Sequence, residues 1–125
     1  MKSKLGELLK AGCQLRLIHI SWCDTRVVRL EKGRKLVGYS ESGELSDALT
    51  EAVGEPIGEI NSELVNQLDE WTTGGKGLRA VFDKRMGFKV ELGGFFGQGI
   101  LKANDPDLWK AVEKVCAQVK IAQPA

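Results

Sequence analysis

Apolar residues in the first third of the chain change from helical to alternating spacing. Leu5, Leu8 and Leu9 fall on one helical face, and Ser3 is placed to cap that helix. The segments that follow are rich in β-branched residues, and charged or glycine residues separate them. They predict three strands, over 14–22, 26–31 and 36–40, with a tight hairpin at 32–34.

The middle of the chain returns to helical spacing. Leu45, Leu49 and Val53 predict one helical run, and a second run begins at about residue 61 and continues to Trp71. Gly54-Glu55-Pro56 interrupts the pattern between them. Both one bent helix and two separate helices fit this spacing.

The last third repeats the order of the first. Alternation predicts strands over 78–83 and 88–92, a glycine-rich hairpin over 93–97 and a returning strand over 99–102. A final helix is expected after Asn104 or Asp105 as N-cap, with Pro106 in its first position. We predict an α+β fold in which an antiparallel sheet packs against helices, in the order α-βββ-α(α)-βββ-α. An internal duplication is one interpretation, and any protein built from hairpins and helices would give the same order.

Length and composition predict one domain over residues 1–125. Apolar residues make up 42% and charged residues 28%, which is typical of globular domains. No apolar run approaches the roughly 20 residues that cross a bilayer, and the first residues lack the apolar core of a secretory leader. The three cysteines are not in CxxC spacing, so neither a disulfide framework nor a zinc site is indicated. We therefore expect a cytoplasmic protein without membrane contact.

Charge is distributed unevenly along the chain. Residues 41–75 hold nine carboxylates and no Lys or Arg, whereas residues 76–102 hold six basic and two acidic residues. Residues 24–40 are basic as well, and the net charge is only +1. If one sheet face is buried against the helices, alternation exposes Arg29, Lys89 and Arg79 on the other face. The sequence predicts a basic sheet surface backed by acidic helices, although charges of both signs can also cluster by chance and neutralise each other within one monomer.

Residue patterns that could support catalysis have a structural explanation. His19 and Cys23 could form a nucleophile pair, but a histidine filling a half-buried strand position is far commoner. The segment 74–77 contains a GlyLys pair, yet it follows a helix and precedes a strand, the reverse of a phosphate-binding loop. With a single histidine and no ligand-spaced carboxylate cluster, we expect no metal, no cofactor and no enzymatic activity.

Two functions fit this layout. The first is a non-enzymatic protein-interaction module, an adaptor or chaperone-like homodimer that binds another protein or a second copy of itself. Its element order is similar to that of secretion-chaperone-like folds and, more loosely, of roadblock-type adaptors. No sequence motif is shared, and secretion chaperones are usually acidic throughout.

The alternative is single-stranded nucleic-acid binding on the basic sheet face, a plan similar to PUR- and Whirly-type folds. Trp22 or Tyr39 could stack on bases, and so could one of the two adjacent phenylalanines of the second hairpin. The pI of about 7.7 is low for such a protein, although segregation of charge partly offsets this. For either function the candidate binding residues are Arg26, Arg29, Arg34, Arg79, Lys84, Arg85, Lys89, Phe95 and Phe96.

Overall fold

The computed structural model describes residues 4–20, 22–54, 62–72, 76–94 and 101–122. Within these ranges the chain forms four helices and six strands, which confirms the predicted α+β class and element order. In chain order they are α1 (Lys4–Lys10), β1 (Cys13–Ile20), β2 (Thr25–Lys32), β3 (Lys35–Ser42), α2 (Leu45–Val53), α3 (Ser62–Thr72), β4 (Lys76–Asp83), β5 (Gly87–Gly94), β6 (Leu101–Asp105) and α4 (Leu108–Ala122).

All six strands belong to one antiparallel sheet with the order β3-β2-β1-β4-β5-β6. The two three-stranded meanders meet at the centre, where β1 pairs with β4. Each meander runs outward from that pair and is followed by a helix. The central pair aligns Leu15 with Ala80, Arg16 with Arg79 and Leu17 with Leu78. The two halves of the chain therefore occupy equivalent positions on either side of the β1–β4 pair.

One face of the sheet carries the core. Leu15 and Leu17 on β1 and Val28 and Leu30 on β2 are at most 4% exposed, because alternate side chains of these strands point toward the helices. The buried side chains of all four helices join the same apolar cluster, so the helices cover this face together. The fold is a two-layer arrangement with helices on one side of the sheet. None of the described helices is long and apolar enough to cross a membrane.

The helical middle of the chain contains two separate helices, α2 and α3. Gly54 ends α2 in the left-handed region with φ 85°, and its N–H donates to the Thr50 carbonyl at 2.7 Å. Glycine adopts this conformation without the steric cost that a Cβ would add. Both helices bury an apolar stripe and leave carboxylates in solvent.

The start of the last helix differs from the sequence prediction. Neither Asn104 nor Asp105 caps it, because both belong to β6, where Asp105 pairs with Phe88 on β5. Asp107 is the cap instead: its Oδ1 accepts hydrogen bonds from the backbone N–H groups of Trp109 at 2.9 Å and Lys110 at 3.3 Å. Strand pairing thus extends β6 to Asp105, and the first helical residue is Leu108.

Gly38 of β3 lies where the edge of the sheet meets the end of α2. A Cβ built at this position would lie 2.5 Å from the backbone oxygen of Ala52 and 3.2 Å from Cδ1 of Leu30. No real side chain is accommodated at the first distance, so α2 and β3 can approach this closely only because residue 38 has no side chain.

We expect Gly38→Ala to lower the free energy of unfolding by about 1–3 kcal/mol, since α2 must move away from the sheet. Gly43→Ala is the matched control, because a Cβ there meets no atom within 4 Å. Urea denaturation followed by circular dichroism measures both. Equal stability of the two variants would contradict the close packing of α2 on β3.

Candidate anion-binding face of the sheet

The face of the sheet opposite the helices carries a row of charged side chains. We call this the open face, and the row crosses it at right angles to the strands. Cross-strand pairing aligns six residues, one on each strand: Tyr39, Arg29, Arg16, Arg79, Glu91 and Lys102. Because neighbouring strands lie about 4.8 Å apart, the three arginines occupy adjacent positions in the middle of this face.

The two central arginines form no ion pair in the described part of the chain, although Glu91 on β5 lies directly opposite Arg79. Arg16 and Arg79 are exposed, and within the described ranges no carboxylate oxygen lies within 4.0 Å of either guanidinium. Arg29 Nε lies 3.1 Å from Glu31 Oε1, but their angle is too poor for a hydrogen bond. Arg16 therefore has a like charge directly opposite on both sides.

Like charges at directly opposite positions of an antiparallel pair destabilise a sheet. Exposure to water reduces this cost without removing it, since each pair contributes a few tenths of a kcal/mol up to about 1 kcal/mol. Three adjacent arginines on the central strands are thus unfavourable for folding. An anion bound across them would neutralise their charge and accept hydrogen bonds from their N–H groups. The planar guanidinium is well suited to phosphate.

Tyr39 extends the same row at the edge strand β3. It is 48% exposed, and its hydroxyl donates a hydrogen bond to the Glu41 carboxylate two residues away on the same face. That hydrogen bond raises the pKa of Tyr39 above 10.0, and burial raises the pKa further. The contact holds the phenol ring at the edge of the arginine row, where one aromatic face can meet a planar ligand.

Three of the predicted basic residues lie together at one end of the sheet. Arg34 belongs to the β2–β3 turn, and Lys84 and Arg85 belong to the β4–β5 turn. Antiparallel pairing brings both turns to the end of the sheet where β1 begins, which we call the hairpin end. All three side chains are exposed there. The hairpin end is thus a second basic region of the sheet, and Gln14, Glu31 and Val81 separate it from the arginine row on the open face.

Lys89 and Arg79 confirm the alternation that the sequence predicted for this face. Arg79 is exposed on β4, and Lys89 lies on β5 with its Nζ 3.3 Å from Glu91 Oε1. The pair with Glu91 leaves Lys89 less able to attract an outside anion than Arg79. Phe95 and Phe96 lie outside the described residues.

Arg26 is placed differently from the other candidates. It pairs with His19 on β1 and points to the helix-covered face, where it is only 9% exposed. Its Nε donates to Asp69 Oδ1 of α3 at 2.8 Å, and its Nη1 donates to the Gly43 carbonyl at 2.7 Å and to Asp24 Oδ1 at 3.0 Å. The guanidinium is fully used inside the protein. We therefore remove Arg26 from the candidate binding surface, because the alternation of β2 puts positions 26 and 29 on opposite faces.

The same network of internal contacts accounts for the buried position of the only histidine. His19 is 8% exposed, and its Nε2–H donates to Asp24 Oδ1 at 2.8 Å. This hydrogen bond, and then the charge of Arg26, lowers the pKa of the Asp24 carboxyl below 3.8. Asp24 itself has φ 48°, a strained backbone that these contacts hold in place. The network joins α3 to the β1–β2 turn through Arg26, whereas the Cys23 thiol contacts the Ile20 carbonyl oxygen at 3.8 Å.

Arg16 was not among the residues that the sequence analysis selected. The segment 14–22 is mostly apolar and holds a single arginine, so its sequence predicts a strand without singling out residue 16. The alternation was available as a signal: Cys13, Leu15, Leu17 and His19 share one face of β1, and Arg16 lies on the other. Its position between two other arginines depends on the β1–β4 register, which local sequence does not contain.

We expect Arg16→Thr to raise the free energy of unfolding by about 0.5–1 kcal/mol, since it removes two like-charge pairs at once. Lys102→Thr is the control: it introduces the same residue on the same face but removes a charge opposite Glu91. Urea denaturation at low salt measures the difference in free energy of unfolding. Adding 1 M NaCl should reduce this difference, because salt screens the charges. Equal loss of stability in both variants would show that the arginine row carries no repulsion.

Comparison of the chain with protein-family models, with curated proteins and with solved structures finds no match. The geometry of the open face is therefore the basis on which a function is proposed.

Proposed function

We propose that this protein binds single-stranded nucleic acid on the open face of its sheet. The observation that carries the proposal is the row of Arg29, Arg16 and Arg79 on three adjacent strands, with the outer two arginines directly opposite Arg16. Such a row is unfavourable for folding alone and becomes favourable when phosphates occupy it. No catalytic role is proposed, since the buried His19 is engaged with Asp24 on the helix side.

The shape of the surface favours a single strand over a duplex. An open sheet presents a broad face rather than a helix or ribbon that could enter a groove. Tyr39 supplies a ring at the end of the arginine row, and bases of a single strand are free to stack on it. The basic turns at the hairpin end add phosphate contacts along the same surface.

The arginine row and the helices α2 and α3 differ in charge, which favours one orientation for a polyanion. The helices α2 and α3 contain acidic residues and no Lys or Arg. A phosphate backbone is repelled from these two helices and attracted to the arginine row and the hairpin end. The near-neutral net charge of +1 therefore does not prevent binding on one face.

We expect a fluorescently labelled thymidine oligonucleotide to bind in an anisotropy titration, with affinity that falls steeply with salt. Contact with three phosphates corresponds to a log–log salt slope of about −2 for a single strand. Arg16→Gln with Arg79→Gln should weaken binding at low salt by at least tenfold and make the slope shallower.

The matched control is Lys110→Gln with Lys114→Gln, which removes the same charge from α4 on the helix side. It should leave the affinity and the slope close to those of the wild type. Absence of binding at about 50 mM salt, or an equal loss in the control, would overturn the proposal.

A second function, self-association through β3, is favoured by a separate observation. β3 is an outer strand of the sheet and exposes Leu36, Val37 and Tyr39, each by 48–49%. Edge strands with exposed apolar side chains are templates for pairing with another chain. The register shift between Leu30 and Glu31 bends this edge and limits its pairing. A second copy of the chain, joined edge to edge, is the partner that this strand suits.

If β3 pairs with a second copy, sedimentation velocity should show a species of twice 13.7 kDa. Leu36→Glu should return it to the monomer, because it places a charge in the apolar edge. Met86→Glu is the control, as Met86 is 56% exposed in the β4–β5 turn, away from this edge. A wild-type monomer at high concentration would contradict dimerisation.

A further inference from the structure

A cleft opens at the hairpin end of the sheet, next to the arginine row. Its volume is about 220 Å³. Pockets for drug-sized ligands are larger, roughly 300–1,000 Å³, so this one suits a single flat ring system. The lining residues come from α1, the α1–β1 turn, β1, β2, the β2–β3 turn and β4: Leu9, Gly12, Cys13, Gln14, Glu31, Gly33, Val81 and Phe82.

The walls of the cleft are continuous with the proposed binding face. Gln14, Glu31 and Val81 each lie two residues along their strands from Arg16, Arg29 and Arg79 respectively. Two strand residues span about 7 Å. A ligand whose anionic group is held by the arginines can therefore place an adjacent group in the cleft.

The polar groups of the cleft form one matched pair. Gln14 and Glu31 are directly opposite each other on β1 and β2, on the open face. Their side chains are therefore close enough to contact one ligand together. The amide of Gln14 can donate and accept hydrogen bonds, whereas the carboxylate of Glu31 can only accept them. Glu31 is 25% exposed, and its neighbour Arg29 leaves most of its acceptor sites unoccupied.

Apolar groups complete the walls. Phe82 and Val81 belong to β4, and the Phe82 ring is held against Phe88 with centroids 5.0 Å apart. Lys10 lies 5.9 Å from the centre of the Phe82 ring, which brings a further cation to this end of the sheet. A ligand for this cleft thus needs a flat apolar body, hydrogen-bond donors that face Glu31 and an anionic group that reaches the arginine row.

We propose that the cleft binds a guanine base of the nucleic-acid strand. Guanine presents two adjacent N–H donors, at N1 and N2, which one carboxylate can accept as a pair, and its neighbouring O6 can accept from the Gln14 amide. Thymine and uracil have no exocyclic amino group. This inference rests on the proposed function, because the arginine row must hold the phosphates of the same strand.

The test compares thymidine oligonucleotides that carry one central guanine, hypoxanthine or adenine, by anisotropy at one salt concentration. Hypoxanthine differs from guanine only in lacking the N2 amino group. A bidentate base contact corresponds to roughly 5–150-fold in affinity, so we expect the guanine strand to bind at least fivefold more tightly than the other two.

Glu31→Gln should bring the guanine and hypoxanthine strands within twofold of each other while binding remains salt-dependent. Glu113→Gln is the matched control, since it removes one exposed carboxylate from α4, outside the proposed binding surface, and it should keep the preference. Val81→Trp is a second variant, which fills the cleft from β4 and should also abolish the preference. Circular dichroism confirms that each variant is folded.

The outcomes separate this inference from the proposed function. Salt-dependent binding without a guanine preference in the wild type overturns the cleft assignment alone. A preference that survives both Glu31→Gln and Val81→Trp also overturns it, because the base is then recognised elsewhere. Absence of binding by every oligonucleotide at low salt overturns the proposed function itself. Displacement of the guanine strand by free guanosine monophosphate at an equal concentration would assign the cleft to a mononucleotide and overturn its role in strand binding.

Discussion

The pairing of β1 with β4 is the constraint on which the rest of the structure depends. It joins the two meanders into one sheet through three aligned residue pairs, whereas β1 and β2 align over eight. On the core side it stacks Leu15 and Leu17 against Ala80 and Leu78, and all four are at most 4% exposed. On the open side the same register places Arg16 opposite Arg79. Apolar burial on one face therefore offsets charge repulsion on the other.

A similar division of roles separates two groups of arginines. Arg26 is buried with Asp69 and Asp24 and connects β2 to α3 and to the β1–β2 turn. Removing one partner of such a pair would leave a charge inside the protein, so this arginine stabilises the packing of α3. Arg16 and Arg79 are exposed, and neither forms an ion pair with a carboxylate in the described part of the chain. Only the second group can exchange solvent for a ligand without loss of an internal contact.

The proposed binding surface combines three kinds of group that suit a nucleotide strand. Arginines provide charge in the centre, Tyr39 provides a ring at the edge strand, and the cleft provides hydrogen-bonding groups at the hairpin end. All three lie on strands or tight turns of one sheet, which limits their movement relative to one another. The edge strand β3 serves a second proposal as well, because its exposed apolar side chains suit a second copy of this chain. The two proposals share only Tyr39, so substitutions at Arg16 and Leu36 can test them separately.

Much of the fold followed from the sequence alone. Periodicity predicted the element order and the exposure of Arg79 and Lys89, because the twofold repeat of a strand depends only on neighbouring residues. It did not predict the start of α4, since pairing of Asp105 with Phe88 on β5 keeps residues 104 and 105 in the sheet. Nor did it separate Arg26 from Arg29, whose roles differ because Asp69, 43 residues away, reaches only one of them. The arginine row and the cleft arise from the order and register of strands that are distant in sequence, and those are decided by packing of the whole core rather than by any local pattern.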